Sequence, residues 1–178
     1  MTNQILIAGF GGQGILFAGK FLAYEGLLED KEVSWLPSYG PEMRGGTANC
    51  SIILSDTKIG SPIVSEPDIL IAMNLPSLDK YENDTVAGGK IFVDSSLISK
   101  KVARTDVDAY YIPATAMASD NNLTGLANMI MLGYLIKKTG IIPFENIDRA
   151  LAKVVPARKQ DLLGLNKTAL ELGYNYEG

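Results

Sequence analysis

The sequence of 178 residues contains no histidine and only one cysteine, Cys50. Histidine is the usual side chain for proton transfer near neutral pH and a frequent metal ligand. One thiolate cannot hold an iron–sulfur cluster or a tetrahedral zinc site, and it cannot form a disulfide within the chain. The side chains of many common catalytic sites are therefore missing, and no catalytic or metal-binding residue is predicted.

Long blocks of one charge and long apolar runs are also missing. The net charge is -4, so the surface is expected to repel nucleic acid and anionic lipid. The most apolar segment, residues 126–136, is too short to span a bilayer. The first residues contain no basic segment in front of a signal-peptide core. These features predict a cytoplasmic protein that binds neither nucleic acid nor a membrane.

The composition is that of an ordinary globular domain. Apolar residues make up 47% of the sequence and charged residues 20%, which is typical of proteins with one well-packed core. A chain of this length suits one domain better than two. We therefore expect residues 1–178 to form a single domain.

Short apolar or β-branched runs alternate with helical patterns over the first two thirds of the chain. The predicted strands are residues 4–8, 32–36, 47–54, 69–73, 90–94 and 109–112. The predicted helices are residues 14–28 and 75–83, followed after Pro113 by an apolar helix over 123–135, a helix that starts near residue 143 and a last one over 158–172. This order indicates an α/β fold with a helical C-terminal portion.

Two features indicate that the sheet is mixed rather than purely parallel. Residues 37–46 contain two prolines and three glycines, so no helix is expected between the second and third strands. The third strand alternates between apolar and polar residues, which is typical of a strand with one covered face. The prediction is a single-domain, Rossmann-like layered α/β fold with a mixed, mainly parallel sheet.

The first strand is followed by Gly-Phe-Gly-Gly-Gln-Gly, residues 9–14, which matches the dinucleotide-binding pattern G-x-G-x-x-G. Glycines allow a tight turn, and free N–H groups at the start of a helix favour an anion. The acidic residue that should bind the ribose is absent, because Leu36, Pro37 and Ser38 stand at the end of the second strand. Two interpretations stay open: ligand binding, or close packing of the backbone. The candidate residues are Gly9, Gly11, Gly12, Gln13 and Gly14.

The loop over residues 37–46 is a second candidate site. It contains Tyr39, Glu42, Met43 and Arg44 between prolines and glycines that stiffen the backbone. Arg44 could bind a carboxylate or phosphate through two parallel hydrogen bonds, and Glu42 could pair with Arg44 or with a partner. Since a simple connector rarely needs so rigid a sequence, we favour a functional loop over a solvated one.

Three other polar residues have structural interpretations. Cys50 lies on the apolar side of its strand, which indicates an inert buried thiol. Asp94 and the serines after it end a strand but have no base beside them, which indicates helix capping. Asn128 is a single strongly polar residue in an apolar helix, so we expect it to hydrogen-bond between helices or between subunits.

Together these segments resemble the gamma subunit of the 2-oxoacid:ferredoxin (acceptor) oxidoreductases. The similar segments are residues 9–14, Ala18-Gly19, residues 37–48, Gly60-Ser61-Pro62, Pro67-Asp68, and Ala127-Asn128-Met129 through Leu132-Gly133. The resemblance extends over nearly the whole chain, and its most specific part is the block Tyr-Gly-Pro-Glu-Met-Arg-Gly-Gly at residues 39–46.

The resemblance implies a subunit of a complex that oxidatively decarboxylates a 2-oxoacid with coenzyme A to an acyl-CoA and reduces ferredoxin. Thiamine diphosphate, magnesium and iron–sulfur clusters are then expected in partner subunits and none in this chain alone. The expected partners are the alpha and beta subunits, with a ferredoxin-like delta subunit as a further candidate. Phe10 stands where pyruvate-type relatives look more basic, which favours 2-oxoglutarate.

The resemblance also implies positions for the candidate residues. Those expected at the substrate or coenzyme A edge and at the subunit interface are Tyr39, Glu42, Met43, Arg44 and Asn128, with the glycine loop on the same edge of the sheet. The alternatives are a stand-alone Rossmann-like module that binds a nucleotide or another anion, and a purely structural scaffold within the complex.

Overall fold

The computed structural model describes residues 1–38 and 47–178. Within these residues, six strands form one sheet in the order β2-β3-β1-β4-β5-β6. The strands are β1 (Thr2–Phe10), β2 (Glu32–Ser38), β3 (Thr47–Ser55), β4 (Ile69–Ala72), β5 (Lys90–Asp94) and β6 (Asp108–Ile112). Every predicted strand is present.

The sheet is mixed, as predicted. β4 pairs in parallel with both β1 and β5, and β6 pairs in parallel with β5. β3 runs antiparallel to both β1 and β2. The ends of β2, β1, β4, β5 and β6 therefore lie at one edge of the sheet, which we call the carboxyl edge.

The helices of the described residues are α1 (Ile15–Leu28), α2 (Leu75–Tyr81), α3 (Ala114–Asp120), α4 (Ala127–Thr139), α5 (Ile147–Val154) and α6 (Asp161–Tyr174). Short 3-10 turns occupy Glu82–Asp84, Phe144–Asn146 and Ala157–Lys159. None of these helices is long and apolar enough to cross a membrane.

The start of the predicted apolar helix is wrong by four residues, because α4 begins at Ala127 and not at Leu123. Asn122 and Gly125 have φ values of 56° and 89°, and a left-handed residue interrupts a right-handed helix. The chain before this break forms α3, which the sequence pattern did not separate. At the other end, α4 ends at Thr139 and is capped by Gly140 in the left-handed conformation.

Two hydrophobic clusters cover the two faces of the sheet. The larger one includes α1, α4, α5 and α6, and α4 is buried on every side from Asn128 to Ile136. The smaller one includes Leu6, Ile53 and Val64, the last of them in the segment between β3 and β4. This segment buries the second face of β3, so the prediction of a half-covered strand is wrong beyond Asn49.

α4 and α6 touch through their backbones. A Cβ atom on Gly133 would collide with the carbonyl oxygen of Leu170, and a Cβ atom on Gly173 would collide with that of Ile130. Gly133 and Gly173 therefore allow the short distance between α4 and α6.

Candidate functional site

The glycine loop joins the end of β1 at Phe10 to the start of α1 at Ile15. Gly12 and Gly14 have φ values of 91° and 71°, a conformation that side chains with a Cβ rarely adopt. A Cβ atom on Gly9 would lie 2.9 Å from the Cβ of Met73. The loop thus needs two glycines for its turn and one for close packing against the chain after β4.

The side chain of Gln13 closes the loop. Its Oε1 accepts a hydrogen bond of 2.6 Å from the N–H of Phe10, and its Nε2 donates one of 3.0 Å to the carbonyl oxygen of Met73. The N–H of Phe10, which an anion at this turn could use, is therefore already satisfied within the chain. This contact ties the loop to the chain after β4 and favours the close-packing interpretation.

Asn128 holds the other side of the loop. Its side chain is 5% exposed, and its Nδ2 donates a hydrogen bond of 3.0 Å to the carbonyl oxygen of Gly14. The expected hydrogen bond between helices is thus present, from the start of α4 to the start of α1. Asn128 lies beneath the glycine loop rather than on an open surface.

The remaining candidates, Tyr39, Glu42, Met43 and Arg44, lie outside the described residues. The chain on either side of them ends β2 and begins β3. Thr47, the first residue of β3, pairs with Phe10, the last residue of β1. The structure therefore places the residues that flank this segment at the carboxyl edge, the same edge as the glycine loop.

A pocket of about 330 Å³ opens at the carboxyl edge. It is lined by Gly12 and Gln13 of the glycine loop, Met73 after β4, Leu97 after β5, and residues of α3 and of the turn before α4. The space beyond the carboxyl ends of parallel strands is where open α/β sheets bind ligands and partners. Among the cavities of the described residues, this pocket therefore has the position in the fold that best suits a functional contact.

Asp94 at the end of β5 is fully buried beside this pocket. Its carboxylate accepts a hydrogen bond of 3.2 Å from the N–H of Thr115 and one of 3.0 Å from the N–H of Ser96. The Oγ of Ser96 in turn accepts from the N–H of Ala116. The capping prediction is confirmed. Asp94, at the end of β5, and Ser96, just after it, both accept from N–H groups in the first turn of α3.

Cys50 is an inert thiol, as predicted. It is fully buried, and its Sγ donates a long hydrogen bond of 3.5 Å to the carbonyl oxygen of Ile15. Burial raises the pKa of the Cys50 thiol to about 12, so the reactive thiolate is absent at neutral pH.

Glu25 is a buried titratable residue that the sequence prediction missed. It is fully buried on α1, and its carboxylate oxygens have no hydrogen-bond partner among residues 1–38 and 47–178. Burial raises the pKa of Glu25 to about 7, with a smaller increase from Glu29 and a smaller decrease from Arg149. The sequence did contain a signal, because Glu25 follows Ala18 and Leu22 at the spacing of the apolar stripe of α1.

The donor side chains of the described residues are not arranged as a metal site. Over residues 1–38 and 47–178, no three His, Cys, Asp or Glu side chains come together as a metal site. The whole chain has one cysteine, and clusters of this kind need several thiolates. The described residues offer instead the closed glycine loop and the pocket beside it.

Comparisons with known proteins agree with this architecture. Residues 4–176 match the family described as pyruvate ferredoxin/flavodoxin oxidoreductase. The 2-oxoglutarate synthase subunit KorC of Methanocaldococcus jannaschii is 40% identical over 172 residues, which cover 94% of this chain and 92% of KorC.

Two further proteins are similar over most of this chain. The ketoisovalerate oxidoreductase subunit VorA of Methanothermobacter thermautotrophicus is 39% identical over 172 residues, which cover 96% of this chain but only 35% of VorA. The crystal structure of the gamma subunit of a keto/oxoacid ferredoxin oxidoreductase from Geobacter sulfurreducens superposes with a TM-score of 0.82 at 29% identity, covering 97% of this chain and 96% of that subunit. The chain belongs to the pyruvate ferredoxin/flavodoxin oxidoreductase family.

Proposed function

We propose that this chain is the gamma subunit of a cytoplasmic complex that oxidatively decarboxylates 2-oxoglutarate with coenzyme A to an acyl-CoA and reduces ferredoxin. The observation that supports this most directly is the match to KorC, which extends over nearly the whole of both chains. VorA, at similar identity, is named for a different 2-oxoacid. KorC subunits of three further organisms also match, at 34–36% identity, and this favours 2-oxoglutarate.

In this proposal the partners are alpha and beta subunits, with a ferredoxin-like delta subunit as a further candidate. The partners hold thiamine diphosphate, magnesium and the iron–sulfur clusters. In support, the sequence has one cysteine and no histidine, and residues 1–38 and 47–178 contain no group of three metal-binding side chains. In this proposal the gamma subunit forms part of the surface at the edge of the catalytic centre. Its glycine loop is fixed from both sides by Gln13 and Asn128, which is the kind of rigidity a subunit contact or a substrate edge requires.

Native purification of the tagged chain from its source cell tests the proposal. We expect it to be recovered with a thiamine-enzyme subunit, and we expect the complex to reduce a viologen when both 2-oxoglutarate and coenzyme A are present. Pyruvate and 2-ketoisovalerate serve as comparison substrates, and a higher kcat/KM for either would overturn the choice of 2-oxoacid. Recovery without such a subunit and without activity would overturn the whole proposal.

The loop over residues 37–46 is tested within the same complex. We propose that Arg44 contacts coenzyme A or a neighbouring subunit, because a guanidinium group suits phosphate and carboxylate groups. Replacement of Arg44 by Ala should then raise the KM for coenzyme A or weaken assembly, whereas Arg158→Ala on the exposed turn before α6 should do neither. Unchanged assembly, KM and turnover in Arg44→Ala would remove this role.

A stand-alone nucleotide-binding module is the second candidate, and the left-handed turn at Gly12 and Gly14 beside the pocket favours it. Such a module would bind a nucleotide without partners and would raise its own melting temperature. Thermal unfolding of the isolated chain with ATP or NAD separates the two candidates. The gamma-subunit proposal expects little or no shift.

A further inference from the structure

Glu25 is a buried carboxyl group that the proposed function does not use. It is fully buried on α1, and neither of its carboxylate oxygens has a hydrogen-bond partner among residues 1–38 and 47–178. An ionised carboxylate without a partner is costly to bury, because no hydrogen bond or opposite charge replaces the water that it loses. The packing around Glu25 therefore suits its protonated form and not its carboxylate.

The side of α1 that carries Glu25 faces α5. Glu29, one turn further along the chain, accepts a hydrogen bond of 2.6 Å through its Oε1 from the Nδ2 of Asn146, which immediately precedes α5. Arg149, one turn further along α5, is the positive charge that acts on Glu25. Since the two helices pack against each other, we place Glu25 at their interface.

α1 is fixed on the sheet. A Cβ atom on Gly19 would collide with the Sγ of Cys50, and a Cβ atom on Gly26 would lie 2.6 Å from the Cδ2 of Leu54. Glycines at these two positions let the helix lie directly on β3. A charge on Glu25 is therefore not relieved by a movement of α1, because such a movement would break this close packing.

α5 is the less firmly held of the two helices. It has eight residues and lies between Pro143 and Pro156. Its inner side packs into the core, while the other four residues are exposed. A helix this short has little stability of its own, so its position depends on the packing of its apolar side. A charge that appears beneath α5 is most easily relieved by a movement of this helix.

Few charged groups face Glu25. Burial raises the pKa of Glu25 to about 7, with a smaller increase from Glu29 and a smaller decrease from Arg149. Residues 127–136 of α4 contain no Asp, Glu, Lys or Arg. The strands beneath α1 present uncharged side chains to it, among them Val33, Trp35, Cys50, Ile52 and Leu54.

The other charged residues of α5 are engaged elsewhere or exposed. Asp148 pairs at 3.0 Å with Lys167 of α6, and Lys153 is exposed on the outer side of the helix. Arg149 is exposed as well, so its guanidinium group is free to follow a carboxylate that moves toward water. It is the cation of α5 that acts on Glu25.

We propose that the contact between α1 and α5 is a pH-sensitive switch operated by Glu25. With a proton on Glu25, α5 packs on α1 as described. When the proton leaves to the solvent, α5 moves outward about the hydrogen bond between Asn146 and Glu29, and the carboxylate of Glu25 reaches water and the guanidinium group of Arg149. The switch is a property of the fold and does not depend on which 2-oxoacid the complex uses.

Hydrogen exchange of the full chain under native conditions tests the switch. Each amide rate is divided into the rate of an unstructured chain at the same pH, which gives a protection factor free of the chemical effect of pH. The open state has the ordinary pKa of 4.5 for Glu25 and the closed state a pKa of about 7. The protection factors of α5 should therefore fall about tenfold between about pH 6 and about pH 8.

Low concentrations of urea distinguish a movement of α5 from unfolding of the whole chain. Exchange through a local opening hardly responds to urea, because little surface becomes exposed, whereas exchange through global unfolding accelerates steeply. We expect the amides of α5 to exchange without urea dependence and those of α4 to respond strongly. An equally steep urea dependence in α5, or protection factors in α5 that do not change with pH, would overturn the switch.

Two pairs of variants identify the groups involved. Glu25→Gln should keep the protection of α5 constant over this pH range, whereas Glu32→Gln, at the exposed start of β2, should behave like the unmodified chain. Arg149→Gln should move the midpoint of the opening to higher pH, because the open state loses its cation, and Lys153→Gln should not. An undiminished loss of protection in Glu25→Gln would overturn the switch, and an unchanged midpoint in Arg149→Gln would overturn the pairing with Arg149.

Discussion

The side-chain amide of Asn128 donates a hydrogen bond to the carbonyl oxygen of Gly14 across 3.0 Å, although the two residues are 114 positions apart. A Cβ atom on residue 14 would collide with this amide, and the φ of Gly14 is 71°. The hydrogen bond of Asn128 therefore requires a glycine at position 14. Their contact fixes the start of α4 against the glycine loop and so shapes the carboxyl edge.

Replacement of Asn128 by Ala should lower the free energy of unfolding by about 1–3 kcal/mol, because it removes a buried hydrogen bond and leaves a small cavity. Asn128→Asp should cost more, because a carboxylate has no N–H to donate and would be buried beside a carbonyl oxygen. Urea unfolding measures both. Asn121→Ala, on an exposed residue, should change the value by less than about 0.5 kcal/mol; an equal loss there would contradict the role of Asn128.

The strands could be predicted from the sequence because each is a compact apolar run between turn residues. The pairing of β3 between β1 and β2 could not, since it depends on contacts between residues far apart in the chain. The break between α3 and α4 was also missed, because Asn122 and Gly125 adopt left-handed conformations inside an otherwise helical pattern. Local periodicity predicts individual helices and strands, but it does not predict which strands pair in the sheet.

The candidate site could also be predicted only in part. The glycine loop was predicted from its spacing, and Asn128 from its polarity in an apolar helix. The contacts of Gln13 with Phe10 and Met73 could not be foreseen, because they require β1 and β4 to be neighbours.

The contact between α4 and α6 should tolerate no side chain at its centre. Gly133→Ala would bring a methyl group against the backbone of Leu170, and backbone cannot move aside as a side chain can. We expect a loss of about 3 kcal/mol in the free energy of unfolding, measured by urea or thermal denaturation.

Gly164 offers a matched control for that contact. It lies on α6, and a Cβ atom there would meet nothing within 4 Å. Gly164→Ala should therefore raise the free energy of unfolding by about 0.5–1 kcal/mol, because alanine is the better helix former. If Gly133→Ala and Gly164→Ala shifted stability in the same direction, the backbone contact between α4 and α6 would not set the packing distance.

The packing of α1 on β3 predicts a compensating pair. A Cβ atom on Gly19 would collide with the Sγ of Cys50 and would lie 3.1 Å from the indole nitrogen of Trp35. Gly19→Ala alone should cost about 1–3 kcal/mol through overpacking. In the double variant with Cys50→Ala, the sulfur is gone, so the loss should be smaller than the sum of the two single losses by about 1 kcal/mol. A double-mutant cycle measures the difference, and strict additivity would show that the two side chains do not compete for the same space.

Glu25 should make the stability of the protein fall as the pH rises through the weakly acidic range. Burial raises the pKa of Glu25 from its ordinary value of 4.5 to about 7 in the folded chain. Below about pH 4.5 the carboxyl group is protonated in both the folded and the unfolded states, so its contribution is fully present. Between about pH 4.5 and about pH 7 the unfolded chain releases this proton while the folded chain keeps it. The free energy of unfolding then decreases by up to about 1.4 kcal/mol for each pH unit.

Glu25→Gln keeps the shape of the side chain but cannot ionise, so it should lack this decrease. Its stability relative to the unmodified protein should rise from about pH 5 to about pH 7 and then level off, because above the folded-state pKa both states of the unmodified protein are ionised. Urea unfolding at a series of pH values measures the difference and cancels the titration of all other groups. Glu32→Gln, at the exposed start of β2, should run parallel to the unmodified protein. Parallel curves for Glu25→Gln as well would mean that Glu25 is not held neutral in the fold.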